Sequence, residues 1–196
     1  SVNLMKVLIS GATGYLGGRI ANYLTREGVN VVRGGRAKTK IVTDGSDTNI
    51  IKLGWYNFEK LVENCNGFDV VIHSAGMNAK DCIANPEGAL SFNGEETGNF
   101  VRASAKAGVK KFIYLSTVHV YSSPLIGNYT EKDTATNQHP YAYSNLIGEE
   151  KVIEETTKAT NTKGIILRLS NAVGSPIHKE VNCWDLVVND LCKQVI

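Results

Sequence analysis

Short apolar runs recur along the chain. Each is followed by a longer stretch in which apolar residues return every three to four positions. Val7-Leu8-Ile9 opens the series, and an uninterrupted run of this kind predicts a strand buried on both faces. Ile20, Tyr23, Leu24 and Glu27 then fall in helical register, predicting a helix over about 17–27 that stops at Gly28, a suitable C′ glycine. Further strands are predicted over 30–33, 50–53, 68–73, 111–117 and 164–170. Asn57 is placed to cap a helix carrying Leu61 and Val62. Asn85-Pro86-Glu87 reads as a helix start, with Pro86 near the first helical position, and that helix is expected to reach Ala107 and end at Gly108. A polar loop through Pro124, Gly127 and Asn137 leads to a helix over 141–157, with Leu146, Ile147, Val152 and Ile153 facing the core. The last helix is expected over 181–196. Strands alternating with helices predict an α/β fold: a Rossmann-type doubly wound parallel sheet with helices on both faces. Residues 1–196 then form one dinucleotide-binding domain.

The first strand-to-helix junction carries the chemistry. Gly11-Ala12-Thr13-Gly14-Tyr15-Leu16-Gly17 has the spacing G-x-x-G-x-x-G between a strand and a helix. Gly11 permits the sharp turn, Gly14 admits a pyrophosphate to backbone N–H groups, and Gly17 lets helix and strand pack closely. The helix N-terminus adds partial positive charge. Thr13, Tyr15 and Leu16 belong to the same cofactor-binding turn. Ser74, Ala75 and Gly76, at the end of the 68–73 strand, are small enough to leave room for a ligand lying across the sheet. An NAD site usually has Asp or Glu at the end of the second strand. Here the sequence is Val32-Arg33-Gly34-Gly35-Arg36-Ala37-Lys38, with no acid before Asp44. Arg33, Arg36 and Lys38 are placed to pair with a 2′-phosphate, which favours NADP, with NAD as the alternative. His73, inside an apolar strand, reads as a core residue.

Composition narrows the remaining classes. The chain has 196 residues, 42% hydrophobic and 20% charged, as in ordinary globular proteins. A net charge of +2 offers no polyanion-binding surface, so no nucleic-acid partner is expected. There is no apolar run long enough for a bilayer and no secretory signal pattern, so a cytoplasmic protein with no membrane partner is expected. Cys65, Cys82, Cys183 and Cys192 lack C-x-x-C or metal-ligand spacing. They read as free thiols, and no metal is expected.

Five ordered stretches resemble the extended short-chain dehydrogenase/reductases, the nucleotide-sugar epimerases, dehydratases and reductases. They are 11–17, 69–76, 112–121, 141–149 and 168–176. The resemblance implies hydride transfer to or from a nicotinamide, with Tyr141 as general acid or base and Thr117 hydrogen-bonding the reacting oxygen of a nucleotide-activated sugar. It implies that Ser116, Tyr141 and residue 145 also meet the cofactor, and that Thr117, His119 and Asn171 meet substrate. The family's Tyr-x-x-x-Lys lysine is replaced by Asn145. An amide can replace the ribose contact but supplies no charge, which leaves Tyr141 protonated at neutral pH and suits it to carbonyl reduction. Family members continue well past the 168–176 stretch, so residues 171–196 are expected to begin a substrate-binding lobe that is missing or truncated here. The family also implies a possible homodimer through helices 86–107 and 141–157. Asn145 keeps a second reading open: a catalytically weak dinucleotide-binding sensor or interaction protein.

Overall fold

The computed structural model describes residues 5–37, 39–43, 46–178 and 180–194. Its sheet has the order β3-β4-β2-β1-β5-β6-β7. The strands are β1 (Lys6–Ser10), β2 (Asn30–Gly35), β3 (Thr39–Thr43), β4 (Ser46–Lys52), β5 (Val70–His73), β6 (Lys111–Thr117) and β7 (Lys163–Leu169). All neighbouring pairs are parallel except β3 with β4, which is antiparallel.

Alternate side chains divide between two layers. Val7, Ile9, Val70 and Ile72 pack with Ala21, Ile20 and Leu24 of α1 (Tyr15–Arg26). Leu8, Val71 and Phe112 pack on the other face with Leu61 of α2 (Phe58–Cys65) and with Phe100 and Val101. The two-residue period of a strand makes this split automatic, and burial of both sets explains why the strands read as continuous apolar runs.

Caps fall where the sequence places them. Asn57 Oδ1 accepts from the Lys60 N–H at 3.0 Å, and Asn85 Oδ1 from the Gly88 N–H at 2.9 Å. Gly28 and Gly108 end their helices at φ +80° and +83°. Four elements depart from expectation. A short α3 (Ala79–Ala84) precedes α4 (Pro86–Ala89), and α4 runs through a π-helical segment, Leu90–Glu96, into α5 (Thr97–Lys106). β3 is a further strand at the sheet edge. The final helix, α7 (Val187–Gln194), is shorter than predicted, because Asn182 Oδ1 takes the Trp184 N–H at 3.3 Å and holds the preceding backbone in a turn. The long helix α6 (Pro140–Lys158) has the predicted extent, but Ile153, expected to face the core, is 57% exposed, next to the buried Val152.

The four cysteines are free. Among the described residues, no helix is long and apolar enough to cross a membrane, and no group of His, Cys, Asp or Glu is arranged for a metal.

Candidate active site

The site lies where the C-terminal ends of β1, β5 and β6 meet the N-termini of α1 and α6. The glycine turn is tight. The Gly14 N–H donates to the Gly11 carbonyl at 2.9 Å, and Gly11 sits at φ +66°. A Cβ at Gly11 would lie 2.7 Å from the Ala75 nitrogen, and one at Gly17 would lie 2.4 Å from the Gly11 oxygen. No side chain caps α1 at Gly14. Its first amides therefore have no side-chain cap, beside a turn too tightly packed to admit a Cβ at Gly11 or Gly17, and this arrangement fits a pyrophosphate. Tyr15 turns away to donate to the Gly174 carbonyl at 2.8 Å, and Arg19 donates to the Ser175 carbonyl at 2.6 Å. Leu16 is half-buried beside the turn.

At the end of β2, the Ala12 N–H donates to the Gly34 carbonyl at 3.1 Å, and a Cβ on Gly35 would stand 3.6 Å from Thr13 Cγ2. The β2 position facing the turn thus carries no carboxylate. Arg36 beyond it is exposed. Arg33 departs from expectation. It is 8% exposed and donates to Asn22 Oδ1 at 3.0 Å and Thr25 Oγ1 at 3.3 Å, so it lies along α1 rather than at a phosphate position. Lys38 lies outside the described residues.

Ser74 and Ala75 are held from beneath. Their N–H groups both donate to Ser10 Oγ, at 3.1 and 3.2 Å, and Ser10 also meets His73 Nδ1 at 2.7 Å. His73 is fully enclosed by Phe100, Phe112 and Tyr114, with Nε2 at 2.9 Å from Thr97 Oγ1. Burial drives its pKa down to about 3, so it is neutral and structural, as the sequence indicated. Gly76 faces Asn93, whose Oδ1 accepts from the Met77 N–H at 2.8 Å and whose Nδ2 donates to Ser144 Oγ at 3.0 Å. Sequence reasoning missed Asn93. It sits in the π-helical segment, a feature common at functional sites and without a local sequence signal.

Tyr141, Asn145 and Glu149 share one face of α6 at four-residue spacing. The Thr117 and Tyr141 hydroxyls are within hydrogen-bonding reach. Burial raises the Tyr141 pKa, and the Thr117 bond lowers it by less. Thr117 Oγ1 also accepts from the His119 N–H at 3.2 Å, so the same oxygen caps the short turn Val118–Val120. Asn145, 7% exposed, accepts from the Tyr114 hydroxyl at 2.9 Å and donates from Nδ2 to the Tyr141 carbonyl at 2.7 Å.

Ser116 departs from expectation: its hydroxyl is bound by the buried Glu149 carboxylate. Glu149 also receives Arg168, through Nε at 3.0 Å and Nη2 at 2.7 Å. That carboxylate holds the Arg168 guanidinium above its usual range. His119 lies beside the cleft with its carbonyl bound by Asn137 Nδ2, and Asn171 is exposed in the loop after β7.

A glycine turn after the first strand of a mostly parallel sheet with helices on both faces defines a Rossmann-type α/β fold. Residues 7–183 match the NAD dependent epimerase/dehydratase family, and the chain belongs to it. The dTDP-D-glucose 4,6-dehydratase of Dictyostelium discoideum is 28% identical over 207 residues, covering 90% of this chain and 46% of its own length. Among solved structures, MoeE5 in complex with UDP-glucuronic acid and NAD has a TM-score of 0.80 at 22% identity, over 96% of this chain and 60% of that one. DesIV, a dTDP-glucose 4,6-dehydratase from Streptomyces venezuelae with NAD and TYD bound, has a TM-score of 0.78 at 18% identity, over 97% and 62%. The chain thus spans about half to three fifths of the length of these relatives.

Proposed function

We propose that this chain is the cofactor-binding part of an NAD(P)-dependent oxidoreductase, epimerase or dehydratase acting on a nucleotide-activated sugar. The observation that carries the reading is the Thr117 and Tyr141 hydroxyls, within reach of each other at the C-terminal edge of the same sheet that bears the glycine turn after β1. Gly11, Thr13, Gly14 and Gly17 would hold the pyrophosphate. Ser74, Ala75 and Gly76 would form the floor beneath the cofactor. When bound, the nicotinamide supplies or accepts the hydride. Thr117 orients the reacting oxygen and Tyr141 exchanges its proton. Because burial keeps Tyr141 protonated, the pair serves carbonyl reduction better than alcohol oxidation. Residues from 171 onward would open the substrate lobe, with Asn171 and His119 toward the substrate.

The missing carboxylate at Gly35 and the exposed Arg36 support NADP, while MoeE5 and DesIV carry NAD. Fluorescence titration with NADPH and NADH decides. Tighter NADPH binding that is lost in Arg36→Ala supports the phosphate reading. Equal or tighter NADH binding removes it and leaves a bound NAD. The enzyme reading predicts that Tyr141→Phe lowers turnover of a nucleotide ketosugar by at least about a hundredfold, in line with general acid catalysis.

The second reading, a cofactor-binding sensor, is favoured by Asn145, whose carboxamide beside Tyr141 supplies no charge to lower the tyrosine pKa. Nucleotide binding without turnover of any nucleotide sugar in the full-length protein would select it. A homodimer through α5 and α6 is proposed from the family resemblance and the exposed Ile153 on α6; sedimentation measures it directly.

A further inference from the structure

Between the sheet and α5 runs a line of buried polar groups that the proposed chemistry does not use. It begins at Ser10 Oγ, passes His73 Nδ1 and Nε2, continues to Thr97 Oγ1 and the Tyr114 hydroxyl, and ends on Asn145 Oδ1. Ser10, His73 and Thr97 are at most 1% exposed and Tyr114 is 2% exposed, so water supplies none of their partners.

The direction of every bond follows from its two ends. Ser10 Oγ already accepts two N–H groups, from Ser74 and Ala75. Its own hydrogen therefore goes to His73 Nδ1, since a third donor would orphan that hydrogen in the core. A neutral His73 then carries its proton on Nε2 and donates to Thr97, whose own hydrogen is left for the Tyr114 oxygen within its reach. At the other end, the Asn145 atom 2.7 Å from the Tyr141 carbonyl must be a donor, since two oxygens at that distance would repel, so Nδ2 faces the carbonyl and Oδ1 faces Tyr114. Tyr114 must then donate, and its oxygen is free to accept from Thr97. The two ends, reasoned separately, give one direction.

We infer that Tyr114, with His73 and Thr97 behind it, is a positioning residue for Asn145, locking the carboxamide so that Nδ2 rather than Oδ1 faces Tyr141 and the cofactor cleft. One Nδ2 hydrogen serves the Tyr141 carbonyl, and the amide keeps a second to offer a ribose hydroxyl. The ribose contact rests on the cofactor reading above; the lock does not. The chain also ties Asn145 to the Ser74–Ala75 backbone, the proposed floor of the cofactor site.

Nitrogen NMR of the imidazole in the unaltered protein tests the direction. The expected result at neutral pH is a protonated Nε2 and a bare Nδ1, and a protonated Nδ1 overturns the inference. Thr97→Val tests the positioning, because it breaks the chain one full side chain away from Asn145. The Asn145 carboxamide resonances should shift, and they should shift again in Tyr114→Phe. NADPH or NADH, whichever the wild type binds, should bind about three- to tenfold more weakly in both variants.

Unmoved Asn145 resonances in a folded Thr97→Val protein refute positioning. So does wild-type nucleotide affinity in both variants. If the wild type binds neither nucleotide, the cofactor reading fails, while the tautomer and the Asn145 resonances still decide the lock.

Discussion

His73 links acidity to stability. Its pKa is about 6.5 in an unfolded chain and about 3 in the core. Between those values the unfolded chain binds a proton that the folded protein excludes. The stability tied to a neutral His73 is therefore complete above pH 6.5 and drains away as pH falls towards 3. Denaturation midpoints at pH 7, 6 and 5 should fall in sequence for the wild type. His73→Gln, which can accept from Ser10 and donate to Thr97, should give a shallower slope, and equal slopes would remove His73 as the cause.

Asn145→Lys carries the opposite lesson about Tyr114. An ammonium accepts nothing, so the buried Tyr114 hydroxyl loses its acceptor, and we expect a loss of about 2 kcal/mol in chemical unfolding. Tyr114→Phe in that background should recover most of it.

Thr117 and Tyr141 lie at the strand end and helix start where the sequence places them, because such positions are set locally. Arg33 misled for a reason that was readable. Val31 faces α1, and a residue two positions along a strand shares its face, where Asn22 and Thr25 wait.

At the level of elements, α6 is fixed by how closely it approaches the π-helical segment. A Cβ at Gly148 would lie 2.5 Å from the Asn93 carbonyl and 2.7 Å from the Tyr114 hydroxyl. Gly148→Ala should therefore destabilise by about 3 kcal/mol and displace Tyr141 with the helix. Gly28→Ala meets nothing within 4 Å and should lose only the φ +80° conformational term, about 1 kcal/mol. Paired denaturation curves separate clash from backbone strain.

The Glu149–Arg168 pair fastens α6 to β7, with Glu149 at 3% side-chain exposure. Glu149→Gln leaves a guanidinium without its counter-charge and should cost about 3 kcal/mol. Removing the solvent-exposed Lys158–Glu154 pair should leave the midpoint unchanged.

The main elements were legible because their periodicity is strong. The π-helical segment was not, since it arises from how Asn93 bridges Met77 and Ser144 across the fold. The truncated last helix was missed because a side-chain turn at Asn182 outcompetes helical register.

Over the whole molecule, the glycine turn and the two hydroxyls stand along the C-terminal edge of one continuous sheet. If the cofactor reading is right, nucleotide at a hundred times its dissociation constant should raise unfolding stability by about 2.7 kcal/mol, seen as a higher melting temperature. No shift with either nucleotide would count against it.

The first helix and the last meet on one loop, residues 174–175 after β7. Tyr15 and Arg19 hold residues 174 and 175, and Asn189 Nδ2 reaches the same Gly174 carbonyl at 3.2 Å. The Tyr15 bond spans 159 positions of sequence. During synthesis α1 can dock on β1 and β2 early, yet its outer face waits for partners until nearly all of this stretch has emerged. The glycine turn can therefore form before the segment beyond β7 closes against α1, and the nucleotide site proposed there does not wait for the last segment to fold.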